Sequence, residues 1–102
     1  MPEKPWKRAE RQVAKRLGGQ RVKRHGEAAP DVFAPHLVAE VKLRKALPAW
    51  ITLALLVARS HAKPSQLPIA VLKEHGTGIT LVVMYLVDFE DWFGPIAAKT
   101  EK

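Results

Sequence analysis

Apolar positions along the chain fall into two periods, and the switches between them predict the elements. Trp6, Ala9, Val13, Ala14 and Leu17 recur at helical spacing over residues 5–17. Pro5 suits a first turn and Gly18-Gly19 a stop, so this segment predicts an amphipathic helix. Residues 20–24 alternate weakly, as a strand would, and residues 25–30 predict a loop. Residues 31–34 and 37–43 are strand-like runs on either side of Pro35-His36, which predicts a tight hairpin. Residues 46–62 predict a second helix. It is apolar nearly all round as far as Ala58, which implies burial on more than one side. Lys63-Pro64-Ser65 breaks it. Residues 67–73 and 79–87 predict two more strands, joined through a turn with Gly76 and Gly78. Asp88 suits an N-cap for a last helix over residues 89–93, ended by Gly94-Pro95. The order is α-β-β-β-α-β-β-α, an α/β or α+β domain around one mixed central sheet flanked by helices. Residues 1–96 predict a single domain, with a frayed tail at 97–102.

Composition narrows the class. The chain has 102 residues, 47% of them hydrophobic and 26% charged, a balance for a packed domain rather than a disordered segment. It has no cysteine, which removes disulfides and thiolate zinc sites and predicts a reducing, intracellular home. The charged N-terminus shows no secretory signal. The uncharged run at the second helix, residues 46–58, has 13 residues. A membrane span needs roughly 20 apolar residues, so no membrane association is expected.

Charge adds a partner. The net charge is +7, and all of it sits on the first quarter of the chain, where nine Lys or Arg face two acids before residue 26. The remainder is balanced. One concentrated basic surface predicts a polyanion partner, here nucleic acid. Lys7, Arg8, Arg11, Lys15, Arg21, Lys23 and Arg24 are the expected phosphate contacts, with His25 beside them in the loop.

Three acids and one lysine stand where a solvated surface does not explain them. Glu40 and Lys42 lie two apart on a predicted strand and share a face. If Pro35-His36 is the hairpin tip, paired residue numbers total 71 and Asp31 faces Glu40, with β-carbons roughly 5 Å apart. Two carboxylates that close need positive charge between them, and hard divalent cations such as Mg²⁺ prefer carboxylate oxygens. A lysine beside such a site can orient a water, help deprotonate it, or stabilise charge building on phosphate. Glu10 intrudes on the apolar stripe of the first helix, where a carboxylate needs a partner. Each residue alone has a plainer reading: a solvated strand face, a loop acid, a helix acid flanking the stripe. Together, in this order and behind a basic helix, they predict a metal-dependent phosphodiesterase site. His25, His36, His61 and His75 are scattered without zinc spacing.

Pro30-Asp31 followed by Glu40-Val41-Lys42 resembles the P-D…(D/E)-x-K motif of the restriction-endonuclease-like nucleases. With Ala9-Glu10-Arg11 on a first helix ending in Leu17-Gly18-Gly19, the chain looks like the small Holliday junction resolvases of archaea and their phage-borne relatives, over roughly residues 5 to 90. Where that family carries a small hydroxyl residue before the Asp, this chain has Arg24-His25-Gly26. The resemblance implies an αβββαβ core and a Mg²⁺-dependent endonuclease, with Mn²⁺ as a substitute. It implies that Asp31, Glu40 and the Val41 carbonyl hold metal, that Glu10 does so directly or through water, and that Lys42 assists the nucleophile. It also implies a homodimer acting on four-way or otherwise branched DNA in the cytoplasm, at the nucleoid, or in a host cytoplasm for a phage-borne chain. Two alternatives stay open: a nuclease of the same fold for flaps or other branched DNA, and a catalytically silent DNA-binding module.

Overall fold

Pro5 opens the first helix where its missing N–H costs nothing, and Lys15 and Arg16 close it where cations suit the negative end of the helix dipole. The chain then turns at Gly18, whose φ of 70° lies in the left-handed region. The computed structural model describes residues 3–22 and 30–94. Its elements are α1 (Pro5–Arg16), β1 (Gln20–Arg21), β2 (Val32–Ala34), β3 (Leu37–Ala39), α2 (Ala49–His61), β4 (Ala70–Lys73), β5 (Thr80–Val83) and α3 (Leu86–Phe93). This is an α+β architecture of three helices and two antiparallel sheets, in the element order the apolar pattern predicts. The chain separates into two compact units, one up to Arg44 joined by the chain from Phe93, the other Lys45–Trp92.

In the first unit, β1, β2 and β3 form one antiparallel sheet with β2 in the middle. The hairpin register pairs Val32 with Ala39, Phe33 with Val38 and Ala34 with Leu37, so each pair totals 71, as expected. Val32 is 0% exposed and forms the centre of this small core with Ala14 and Leu17 of the α1 face, both buried. Phe33 and Val38 look the other way and are exposed, the alternation a strand imposes. The chain entering β1 lies close against β2 at Gly19. A β-carbon there would fall on the Phe33 carbonyl oxygen and 2.9 Å from the Ala34 β-carbon, so only glycine fits.

In the second unit, β4 and β5 pair as a hairpin, Ala70 with Val83 through Lys73 with Thr80. Its connection uses two left-handed glycines, Gly76 (φ 86°) and Gly78 (φ 79°), and closes with Glu74 N–H donating to the Ile79 carbonyl at 2.8 Å. Helix α2 carries one buried side chain, Leu55; Trp50, Leu53, Leu56 and Val57 on its other faces are exposed. Arg59 lies 4.6 Å from the Tyr85 ring centroid and 3.8 Å from Asp88 on α3.

Several expectations need correction. The single mixed sheet is not formed among the described residues: β4 pairs with β5, and the strands make two separate antiparallel sheets. β3 stops at Ala39, short of Leu43, because Pro30 has no N–H to extend the ladder. Asp88 is not the N-cap of α3. The helix starts at Leu86, with Phe89 N–H donating to the Tyr85 carbonyl at 3.0 Å, and Asp88 sits in the first turn, where a carboxylate also suits the dipole. Helix α2 begins at Ala49 rather than Ala46, after Pro48, since residues before a proline are pushed out of helical geometry. No helix among the described residues is long and apolar enough to cross a membrane. The tail at 97–102 lies outside the described residues.

Candidate functional site

The site grows from the hairpin. Asp31 sits one residue before β2 and is only 3% exposed. It ties both neighbouring strands to its own. Its backbone carbonyl accepts the Val22 N–H at 2.8 Å, extending the β1 side. Its carboxylate Oδ2 accepts the Val41 N–H at 2.7 Å, on the β3 side. The side chain thus gives the Val41 N–H an acceptor beyond the last ladder pair, Val32 with Ala39, and the E-V-K segment is held to the hairpin although it lies beyond the strand. Continuing the register by one residue sets Asp31 opposite Glu40.

Glu40 and Lys42 point the same way. Lys42 Nζ lies 2.9 Å from Glu40 Oε2, with both side chains largely in solvent. Exposed pairs of this kind contribute at most about 1 kcal/mol, so this contact is easily exchanged for another.

Glu10 is positioned differently. It lies on the α1 face that carries Ala14 and Leu17, and it is 8% exposed. The partner that its burial demands is Arg21, whose Nε–H donates to Glu10 Oε1 at 2.7 Å. Arg21 pairs with Val32 in the β1–β2 register, so its side chain shares the helix-covered face. Glu10 is drawn to that face. Among the described residues no three His, Asp or Glu side chains converge into a metal-sized cluster, and each of the three acids has its own partner. The chemistry of the set still fits a hard cation: Asp31 and Glu40 offer carboxylate oxygens, each with more than one lone pair, and Val41 offers a carbonyl.

The basic residues divide in the same manner. Lys7, Arg8, Arg11 and Lys15 recur at spacings of three and four, which puts them on one side of α1. Arg8, Arg11 and Lys15 are exposed and Lys7 is half-buried. Arg11 is hydrogen-bonded to Glu3, and that guanidinium holds the Glu3 carboxyl below its ordinary value. Arg21 is held through its Nε by Glu10. Lys23, Arg24 and His25 lie outside the described residues.

One feature escapes the motif. The Trp6 ring has Lys7 Nζ at 5.4 Å from its centroid and the Arg21 guanidinium at 5.8 Å. The signal in the sequence is the aromatic directly before Lys7-Arg8, but helical spacing assigns Trp6 to the apolar stripe. Comparison with known protein families, with curated proteins and with solved structures found no match.

Proposed function

We propose that this chain is a Mg²⁺-dependent DNA endonuclease of the restriction-endonuclease-like kind, selective for branched DNA, with four-way junctions the foremost substrate. The observation that carries the reading is the Asp31–Val41 hydrogen bond. It binds the Pro-Asp acid to the E-V-K segment, so the elements of the motif, ten residues apart in the chain, form one rigid unit beside a basic helix. Asp31, Glu40 and the Val41 carbonyl would hold the cation. When bound, it supplies Lewis-acid activation of water and charge neutralisation at the phosphate. Lys42 exchanges its exposed contact with Glu40 for the phosphate oxygens on which charge builds. Lys7, Arg8, Arg11 and Lys15 attract and orient the backbone without reading bases.

The active form is a homodimer. Trp50, Leu53, Leu56 and Val57 leave α2 apolar on its exposed faces. A groove of about 520 Å³ runs between α2 and the β4–β5 hairpin, lined mainly by apolar side chains such as Trp50, Val71, Ile79 and Leu81, with Lys73 and Glu74 at the hairpin. Isolated chains rarely leave so much contiguous apolar surface in water, and a second copy related by a two-fold is the commonest cover.

The separate pairing of Glu10 with Arg21 favours one rival, a DNA-binding module without catalysis. Cleavage of labelled junction, fork, flap, duplex and single-stranded DNA, with and without Mg²⁺, separates the readings. Mg²⁺-dependent cutting of branched DNA supports the nuclease, and binding without cutting supports the silent module.

A further inference from the structure

Trp6 is 47% exposed, and many large apolar side chains of this chain are exposed too; among the described residues it is set apart by having two cations beside one ring. The two cations beside the ring differ in kind. Lys7 sits at the end of a flexible stem, whereas Arg21 is anchored by its Nε to Glu10 at 2.7 Å. That anchor engages Nε, and the Arg21 side chain keeps 22% of its surface exposed; the outer guanidinium nitrogens are the donors that suit a phosphate. A half-exposed aromatic ring with a fixed and a movable cation beside it has the parts with which proteins hold unpaired nucleotides: the base stacks on the ring and the flanking phosphates meet the cations.

We propose that Trp6 is a stacking platform for one unpaired nucleobase of DNA, with Lys7 and Arg21 receiving the phosphates on either side of that nucleotide. This rests on the DNA reading above and goes beyond it by naming how a branch is told from a duplex. Within a continuous duplex every base is covered by its neighbours and offers Trp6 no face. At a branch point, flap or gap a base is open, and Lys7 swings off the ring to admit it. Every base has a π face, so the selection is for unpaired structure and not for sequence. Glu10 acts here as a positioning residue, because its hydrogen bond fixes Arg21 beside the ring.

The test uses a Trp50→Phe/Trp92→Phe protein, in which Trp6 is the sole tryptophan, with Mg²⁺ withheld so that nothing is cut. Three DNAs are titrated: a continuous duplex, the same duplex with three unpaired thymidines in one strand, and that bulged DNA with the three positions abasic. Trp6 fluorescence should be quenched by the thymidine bulge and much less by the other two. In anisotropy titrations Trp6→Leu should weaken binding to the bulge about tenfold, near the low end of what one stacked base contributes, and leave duplex affinity unchanged, while Trp6→Phe recovers most of the loss. Equal quenching by thymidine and abasic bulges overturns the platform and leaves the DNA reading standing; so does an equal loss on duplex and bulge for Trp6→Leu. Failure to bind any of the three DNAs overturns both. If Trp6→Leu does not fold, the abasic comparison decides alone.

Discussion

Glu10 and Arg21 meet through a 2.7 Å hydrogen bond, with 10% of the carboxylate side chain and 22% of the guanidinium side chain exposed. Removing one member leaves the other charged and largely out of water. Breaking a fully buried pair costs roughly 3–5 kcal/mol. The partial exposure of Arg21 brings Glu10→Ala to about 2 kcal/mol, read from the urea midpoint at constant slope. Adding Arg21→Ala should restore part of that loss, giving a double-mutant coupling of about 1 kcal/mol. Strictly additive losses would mean that the pair does not stabilise the fold.

Asp31 separates structure from chemistry by choice of substitution. Asn keeps an oxygen that can accept the Val41 N–H, so Asp31→Asn should remain folded. Asp31→Ala strands that donor in a buried position and should cost about 2 kcal/mol. Both should abolish Mg²⁺-dependent cutting, as should Glu40→Gln. Neither Asp31→Asn nor Glu40→Gln should weaken DNA binding, because lost negative charge near phosphate does not reduce the electrostatic attraction. Parallel loss of binding and cutting by Asp31→Asn would contradict these roles.

The Glu3–Arg11 pair predicts a gain of function at the binding step. Glu3→Gln releases Arg11 from its carboxylate partner and makes it available to phosphate. The log–log salt dependence of duplex binding should steepen by up to about 0.9, the value of one added contact. The Glu3 carboxyl itself titrates below its ordinary range because of the hydrogen bond to Arg11. Its contribution to stability is therefore present above the unfolded-state value and is lost as pH falls through the lower, folded one. An NMR titration of Glu3 that moves back up in Arg11→Ala checks the cause.

Gly19 should tolerate no side chain. A β-carbon would press on the Phe33 carbonyl and on Ala34, both backbone-fixed within β2, so the chain entering β1 would have to move off β2. Gly19→Ala should cost about 2 kcal/mol, as overpacking does. A neutral Gly19→Ala would mean that the β1 entry and β2 are less closely set than described.

For the dimer, sedimentation at micromolar concentration should give twice the chain mass. Leu53→Glu with Leu56→Glu should give the monomer without loss of helix content, since both side chains are exposed within one chain. A wild-type monomer that makes paired nicks in one binding event would remove the case for two-fold action.

Local patterns carry most of what was legible in the sequence. The eight elements, the hairpin register and the intrusion of Glu10 into the α1 stripe all follow from period, proline and glycine. The pairing of Glu10 with Arg21 was not legible, because it depends on Arg21 sharing a face with Val32, which only the β1–β2 register decides. The Val41 N–H was equally hidden. Its acceptor is a side chain beyond the last ladder pair, and strand patterns count backbone partners. Strand ends were overrun in both hairpins for a related reason: apolar runs persist past the point where hydrogen-bonded neighbours stop, as at Leu43 and beyond Val83. One mixed sheet was expected from the order of the elements, and that order says nothing about which strand edges pair.

The double duty of Asp31 changes what descent can reveal. A side chain that accepts the Val41 N–H places the identity at this position under selection for folding whether or not the chain does chemistry. Glu40 is under no such constraint: it is exposed and its contact is with the exposed Lys42. On the proposed nuclease reading, the identity at position 40 among descendants of this chain would therefore record the history of the reaction, and the identity at position 31 mainly the history of the fold.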